Sequence, residues 1–196
     1  MTTNRTRSFA AVAAIAVGAS LTACSQDAET TPTAATSAVT STSSAAASTT
    51  EPVPTDSSDK TSAAGTESKL TVVDVRVGEH DGFDRVVYEM GGTGTPGWRV
   101  KYVDAATQEG SGKPVDIKGA AVIQVLIDGS AYPFDSGVEQ YSGPNPVPGV
   151  GGVVTEVNGS NVFEGVTQSF IGVTEKQPFT VTTLSDPPRV VVDVAR

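Results

Sequence analysis

Residues 184–194, LSDPPRVVVDV, combine a polar turn with a strand of regular alternation. Because successive side chains of a β-strand point to opposite faces, this strand has one face of valines and one face that carries Arg189 and Asp193. Residues 85–90, RVVYEM, repeat this order and spacing much earlier in the chain. The two segments therefore predict a pair of strands that share an apolar face and carry charges on the other face.

The charged faces of these two strands are complementary. Antiparallel pairing would place Arg85 opposite Asp193 and Glu89 opposite Arg189, and each such cross-strand pair contributes about 0.2–1 kcal/mol. One interpretation is a ladder of ion pairs on the outside of a valine core. The other is a pair of basic side chains, Arg85 and Arg189, directed at an acidic ligand.

The rest of residues 70–196 has the same character. Short apolar runs rich in valine and isoleucine alternate with clusters of glycine, proline, asparagine and aspartate, and no window sustains a period of 3.6 residues. Asn158 and Gly159 form a favoured hairpin-turn pair between two of these runs. The sequence predicts an all-β domain with little helix, whose other strands are expected at 70–77, 98–103, 120–128, 153–157, 162–170 and 178–184.

The most specific parts of this domain are FDRVV at residues 83–87 and DPPRVVVD at residues 186–193. They resemble the AMIN-like domain of actinobacterial lipoproteins, which is related to the AMIN domain of cell-wall amidases and secretins. The resemblance extends over residues 70–196 and implies a β-sandwich of two small sheets. It also implies a non-catalytic module that targets the cell envelope and associates with peptidoglycan. Residues 104–152 form a longer middle section than a compact AMIN domain needs.

The first residues have the pattern of a bacterial lipoprotein signal. Two arginines precede an uncharged run at residues 9–23, which is rich in alanine and valine and too short to span a membrane comfortably. The run leads into LTAC at residues 21–24, which matches the bacterial lipobox. We therefore predict a signal peptide at 1–23 and attachment of acyl chains such as palmitate to Cys24, which would anchor the protein to the outer face of the cell membrane. The alternative is an ordinary secretory signal followed by an unrelated cysteine.

Residues 24–69 are dominated by small polar residues. Of the 45 positions from 25 to 69, 33 are serine, threonine, alanine or proline, and none is aromatic. Such a composition buries too little apolar surface to offset the entropy of ordering the chain. The sequence predicts a disordered tether that holds the domain of residues 70–196 away from the membrane.

Composition excludes several classes of function. The formal net charge of −9 disfavours a nucleic-acid partner, because phosphate binding needs clustered lysine and arginine. A single cysteine and a single histidine, His80, are too few for a disulfide framework, a zinc cluster or a histidine-based catalytic triad. The glycine-rich run at 91–97 lacks the lysine of a phosphate-binding loop, and the acidic run at 79–84 lacks the ligand spacing of a calcium loop. We expect no cofactor and no metal.

Four side chains are candidates for ligand binding. Arg85 and Arg189 would meet acidic groups of the cell wall, while Trp98 and Tyr102 alternate on one strand and would stack on sugar rings or pack in the core. The leading interpretation is a non-enzymatic, lipid-anchored envelope protein that binds peptidoglycan or an envelope protein. The alternatives are a carboxylate-dependent glycan hydrolase, although the sequence singles out no pair of acids, and a carrier of a small apolar ligand.

Overall fold

A computed structural model describes residues 51–196. The predicted signal peptide at 1–23, the predicted lipidation site Cys24 and the part of the predicted tether up to residue 50 lie outside the described residues. The described part consists mainly of strands, with one short helix, α1 (Pro133–Ser136). The strands are β1 (Lys60–Ser62), β2 (Lys69–His80), β3 (Phe83–Thr93), β4 (Gly97–Val103), β5 (Ala121–Asp128), β6 (Val147–Pro148), β7 (Val154–Phe163), β8 (Val166–Val173), β9 (Phe179–Leu184) and β10 (Arg189–Ala195).

The strands form two antiparallel sheets. One sheet has four strands in the order β2-β3-β10-β9, and the other has six in the order β1-β4-β5-β8-β7-β6. Alternation gives each sheet one apolar face, and the two apolar faces pack together and leave polar side chains outside. The all-β sandwich of two sheets predicted from the sequence, with little helix, is confirmed.

The central pair of the four-stranded sheet, β3 and β10, has the predicted register. Asp193 lies opposite Arg85, and Arg189 lies opposite Glu89. The inward-facing valines of both strands are buried in the core between the sheets. The two sequence patterns therefore predicted both the pairing and the face that each side chain occupies.

The core is filled mainly by aliphatic side chains and crossed by a polar contact. Tyr88 on β3 is fully buried, and its hydroxyl donates a hydrogen bond of 3.0 Å to Oγ of Ser169 on β8. Burial raises the pKa of Tyr88, so the phenol stays neutral and keeps its proton for this bond. A buried hydroxyl needs such a partner, and this one links the two sheets.

A second link between the sheets is a hydrogen bond to a buried carboxylate. Asp84 on β3 is fully buried, and its carboxylate accepts hydrogen bonds from Nε of Arg196 at 2.7 Å and from the backbone N–H of Val154 at 2.9 Å. Arg196 also contacts the exposed Glu79, which lowers the pKa of that carboxyl. Asp84 therefore joins the four-stranded sheet to the first residue of β7, and it binds Arg196, which directly follows β10 in its own sheet.

The predicted hairpin turn at Asn158 and Gly159 is wrong. β7 continues through these residues to Phe163, and its register with β8 shifts between Asn158 and Asn161, as at a β-bulge. The turn lies at Glu164 and Gly165, which both have positive φ, 48° and 79°. A bulge and a tight turn can both require a residue with positive φ, and an Asn-Gly pair can supply it in either case. Here Gly159 has φ of 86° within the strand.

The folded part begins before residue 70, the start that the sequence predicted. β1 pairs with β4 at the edge of the six-stranded sheet, and the carbonyl of Asp56 accepts a hydrogen bond of 2.9 Å from the backbone N–H of Phe179. Pro54 is buried. This segment has few apolar side chains, but the neighbouring strands supply hydrogen-bond partners for its backbone. Composition alone does not reveal this stabilisation.

The first part of the long middle section, residues 104–120, covers the outside of the six-stranded sheet. The side-chain amide of Gln168 on β8 accepts a hydrogen bond from the N–H of Glu109 and donates one to the carbonyl of Thr107. Farther along the same loop, the N–H of Lys118 donates to Glu156 on β7. The loop of residues 104–120 therefore lies against β7 and β8 on the face that points away from the core.

Candidate functional site

The outer face of the four-stranded sheet carries a groove of about 420 Å³. One wall is formed by residues 51–55, an extended segment that we call the strap. The strap is followed by Asp56, whose carbonyl accepts a hydrogen bond from the N–H of Phe179, the first residue of β9. This bond holds the end of the strap beside the outer face. We call the space between the strap and the sheet the outer groove. Its floor consists of outward-facing side chains of β3, β9 and β10: Arg85, Thr180, Thr182, Leu184, Val191 and Asp193.

Arg85 is the central charged residue of the outer groove. Its guanidinium binds Asp193 in a two-point contact, with Nε 2.7 Å from Oδ1 and Nη2 2.8 Å from Oδ2. The same Nη2 also donates to Oε1 of Glu51, in the strap, at 3.1 Å. The hydrogen bond to Asp193 is the largest of the effects that raise the pKa of Arg85, so the guanidinium is charged throughout the physiological range. The guanidinium therefore holds one carboxylate from its own sheet and one from the strap.

The strap is fitted to the turn between β2 and β3. Gly82 in that turn has φ of 84°, and an added Cβ there would lie 2.6 Å from Cγ2 of Val53 in the strap. The other carboxylate oxygen of Glu51 is 3.5 Å from Nδ1 of His80, whose ring stacks on Phe83 with centroids 4.9 Å apart. A glycine is therefore needed at position 82 both for its backbone conformation and for space.

Arg189 is on the same face as Arg85 but makes different contacts. Its side chain donates to the carbonyls of Pro187 and Ser185 in the preceding turn. Glu89, which lies opposite Arg189, binds Arg76 on β2 instead, with Nη2 and Oε2 2.9 Å apart. The predicted cross-strand ion pair thus forms between Arg85 and Asp193. Arg189 does not pair with Glu89 and instead binds carbonyl groups of the preceding turn. Four residues of strand, about 13 Å, separate the two arginine positions.

Trp98 on β4 belongs to the core. Its side chain is only 9% exposed, and its indole N–H donates a hydrogen bond of 2.9 Å to Oγ1 of Thr183 on β9. A ring in this position presents no open face to a sugar. It contacts the four-stranded sheet instead, so Trp98 ties β4 to β9 across the sandwich.

Tyr102, four residues along β4, lies at the rim of the same core. Its hydroxyl donates to the carbonyl of Gln177 at 2.7 Å and accepts from the N–H of Gln177 at 2.9 Å. The ring packs edge-on against Phe179, with centroids 5.7 Å apart, and the ammonium of Lys176 is 5.0 Å from its centroid. The structure thus does not bring Trp98 and Tyr102 together with the two arginines, because β4 lies in the other sheet.

A model of the AMIN-like domain family matches residues 70–196. The chain belongs to the AMIN-like domain family. No curated protein and no solved structure matches it. Membership of this family indicates a non-catalytic module that is associated with the cell envelope outside the cytoplasm. The matched region begins within β2, so the strap and β1 precede it.

The AMIN-like domain exposes two aromatic side chains at another place. Phe134 in α1 is 81% exposed and Tyr132 is 40% exposed, and their rings stack with centroids 5.4 Å apart and an angle of 8° between planes. The sequence pattern alone does not single out these two residues as an exposed aromatic pair. The signal available was two aromatic residues on either side of Pro133, outside any apolar run.

Within residues 51–196, no group of three or more histidine, cysteine, aspartate or glutamate side chains is placed to hold a metal ion. In the same range, no helix is long and apolar enough to cross a membrane. The sequence does not reveal the role of Glu51, because it lies in a tract whose composition predicts no contact with the domain.

Proposed function

We propose that this protein is a lipid-anchored envelope module whose outer groove binds acidic groups of peptidoglycan. The anchor is the predicted lipid on Cys24, and the chain between residues 24 and 50 is the tether. The ligand group is a carboxylate of the wall polymer, which takes the position of Glu51 on Arg85. The proposed role is binding without catalysis, in agreement with the generally non-catalytic character of the family.

The observation that carries the proposal is the unequal pair of carboxylates on Arg85. Asp193 is a neighbour within the sheet, is largely buried and makes a two-point contact. Glu51 is more exposed, makes one contact of 3.1 Å and belongs to the strap rather than to the sheet. An exposed ion pair contributes only about 0–1 kcal/mol, so a second carboxylate can exchange with Glu51 at small cost.

The hydrogen-bonding capacity of Arg85 favours a carboxylate ligand in this position. Arg85 and Asp193 neutralise each other, so removal of Glu51 leaves a neutral pair with one guanidinium N–H directed at the groove. A ligand carboxylate restores the bond that Glu51 made, without leaving a buried charge unpaired. The hydroxyls of Thr180 and Thr182 on the groove floor add hydrogen-bonding groups for a polar polymer.

The proposal predicts opposite effects for two substitutions. Arg85→Gln should lower retention of the protein on purified peptidoglycan by about tenfold or more, because a charged hydrogen bond to the ligand is lost. Glu51→Gln should raise retention by about two- to fivefold, because the internal competitor is removed. The measurement is a titration of insoluble peptidoglycan with the chain from residue 24 carrying Cys24→Ser.

Arg99→Gln is the matched control for this prediction. Arg99 pairs with Asp128 on the exposed face of the other sheet, with Nη2 2.8 Å from Oδ1, so its loss removes the same charge far from the outer groove. Equal losses for Arg85→Gln and Arg99→Gln would mean that net charge, and not the groove, controls retention. Failure of the unmodified chain to bind peptidoglycan would overturn the proposal. Release of soluble wall fragments in the same assay would instead support the hydrolase alternative.

A second candidate site is favoured by the exposed pair Tyr132 and Phe134. Exposed aromatic faces stack on the apolar faces of sugar rings, and this pair has the accessibility that Trp98 lacks. Phe134→Ala in the same titration separates the two sites. Loss of retention in Phe134→Ala together with normal retention in Arg85→Gln would move the binding site to the aromatic pair.

Anchoring is tested independently of wall binding. In the bacterial host, the unmodified protein should partition into the detergent phase of a Triton X-114 extract, and Cys24→Ser should move it to the aqueous phase. Two acyl chains are enough for stable attachment to a membrane, whereas a single chain is marginal. An aqueous partition of the unmodified protein would favour the alternative of an ordinary secretory signal.

A further inference from the structure

β9 is an edge strand without the usual protection. It pairs with β10 on one side and is the last strand of the four-stranded sheet. Its sequence, FTVTTL, contains no charged residue and no proline, and consists of residue types that favour strands. An exposed edge of this kind is a template for pairing with another strand.

The other three edges of the two sheets are protected. β2 has a β-bulge between Val72 and Asp74, carries the charged Asp74 and Arg76, and is partly covered by backbone hydrogen bonds to the segment of residues 129–141. β1 has three residues, and β6 has two, one of them Pro148. Short length, charge, proline and bulges are the devices that prevent edge pairing. Within residues 51–196, β9 is the edge that has none of these four devices, and a neighbouring segment binds it only at its first residue, where Phe179 donates to Asp56.

The hydrogen-bonding pattern defines which part of the β9 edge is available. The carbonyl of Pro178 accepts from Ala195 of β10, whereas the N–H of Phe179 points the other way and donates to Asp56. Because backbone groups alternate in direction along a strand, those of Val181 and Thr183 also point away from β10. Thr182 is the centre of the available edge, and Asp56 marks its end.

We propose that two copies of this chain associate through β9, antiparallel and centred on Thr182, to give a continuous eight-stranded sheet. This register pairs Val181 with Thr183 of the second copy and leaves Asp56 outside the joint. No charged side chain of β9 meets a like charge, because the strand carries none. A second copy therefore supplies hydrogen-bond partners for the outward-pointing backbone groups of β9. The contacts of the strap do not change.

The association also brings two outer grooves together. Thr180, Thr182 and Leu184 line the outer groove and lie on β9, so each groove would continue across the joint into the groove of the second copy. A polymer with repeated acidic groups would then meet two arginine sites on one surface, which raises the effective affinity without new contacts. This consequence depends on the proposed function, but the association itself does not.

Charge substitutions at the centre of the joint test the association. Thr182 faces outwards, so Thr182→Lys and Thr182→Glu each place like charges opposite each other only in the pair. For the chain from residue 24 with Cys24→Ser, we expect a dimer by sedimentation equilibrium, monomers for each variant alone, and a dimer again when the two variants are mixed. Thr61→Lys on β1, the exposed edge of the other sheet, is the control and should remain dimeric.

Cross-linking gives a second measurement. Thr182 and its mate would form a pair without direct backbone bonds, with Cα atoms about 4.5 Å apart, which suits a disulfide. In the Cys24→Ser chain, Thr182→Cys should oxidise to a covalent dimer, and Thr61→Cys should not. A monomer at every concentration reached, or equal cross-linking at positions 182 and 61, would overturn the proposal. Because no ligand is present, either result leaves the peptidoglycan proposal unaffected.

Discussion

Asp84→Ala is expected to lower the free energy of unfolding by about 3–5 kcal/mol. The carboxylate is fully buried and accepts hydrogen bonds from Arg196 and from the N–H of Val154. Its removal leaves the N–H of Val154 without an acceptor and leaves Arg196 with only its contact to the exposed Glu79. Breaking a buried pair in this way costs more than the pair contributes.

Urea unfolding, followed by the fluorescence of the single tryptophan, measures this effect. Asp128→Ala is the matched control, because Asp128 pairs with Arg99 on a more exposed surface and its loss should cost less than about 1 kcal/mol. Equal losses for the two variants would show that burial of Asp84 does not determine its contribution. Asp84→Asn should fall between them, since the amide oxygen can still accept from one donor.

Trp98→Ala is expected to lower the free energy of unfolding by about 3–5 kcal/mol, the usual cost of truncating a buried large aromatic side chain. The indole fills space between β4 and β9 and donates its N–H to Thr183. Thr183→Val removes only the acceptor and should cost about 1–3 kcal/mol, the penalty for a buried donor without a partner. Urea unfolding followed by far-ultraviolet circular dichroism measures both, since one variant lacks the tryptophan.

The same variants separate a core role from a ligand role for Trp98. A core role predicts that Trp98→Phe, which keeps most of the apolar volume, recovers a large part of the stability and retains normal binding to peptidoglycan. If Trp98→Ala folded with undiminished stability but lost retention on peptidoglycan, the ring would act as a binding surface and its observed packing would be irrelevant to stability.

The register of β3 and β10 could be predicted because two independent patterns agreed. Alternation assigned the valines to one face, and the opposite charges of Arg85 and Asp193 selected the antiparallel alignment. Alternation alone could not place Trp98, because it shows which residues share a face but not whether that face is covered. The second sheet decides that question, and its position depends on contacts between residues far apart in the sequence.

Local turn chemistry was a weaker guide. Asn158 and Gly159 satisfied the rule for a hairpin, yet β7 continues through them because its pairing with β8 resumes at Asn161. The turn at Glu164 and Gly165 carried the same preference for positive φ in one residue only. Where two nearby pairs can both adopt the conformation of a turn, the pairing of the flanking strands selects between them.

The candidate site was half predictable. Arg85 was identified from its place in a patterned strand, whereas Glu51 lies in a tract of small polar residues that resembles any flexible linker. Its contact with Arg85 depends on the backbone bond at Asp56 and on the space above Gly82, and both are properties of the folded domain. The alternation of residues in β3 shows that Arg85 faces outwards. It does not show that the strap lies across that face.

The position of the strap also gives the protein a mechanical polarity. Force applied along the chain from the side of residue 50 reaches Glu51 first, then the contact of Val53 with Gly82, then the bond at Asp56, and only afterwards the short strand β1. Contacts loaded one after another peel at low force, whereas β10, which is hydrogen-bonded on both sides, resists as a unit. Release of the strap would therefore uncover Arg85 while β10 stays paired with both β3 and β9.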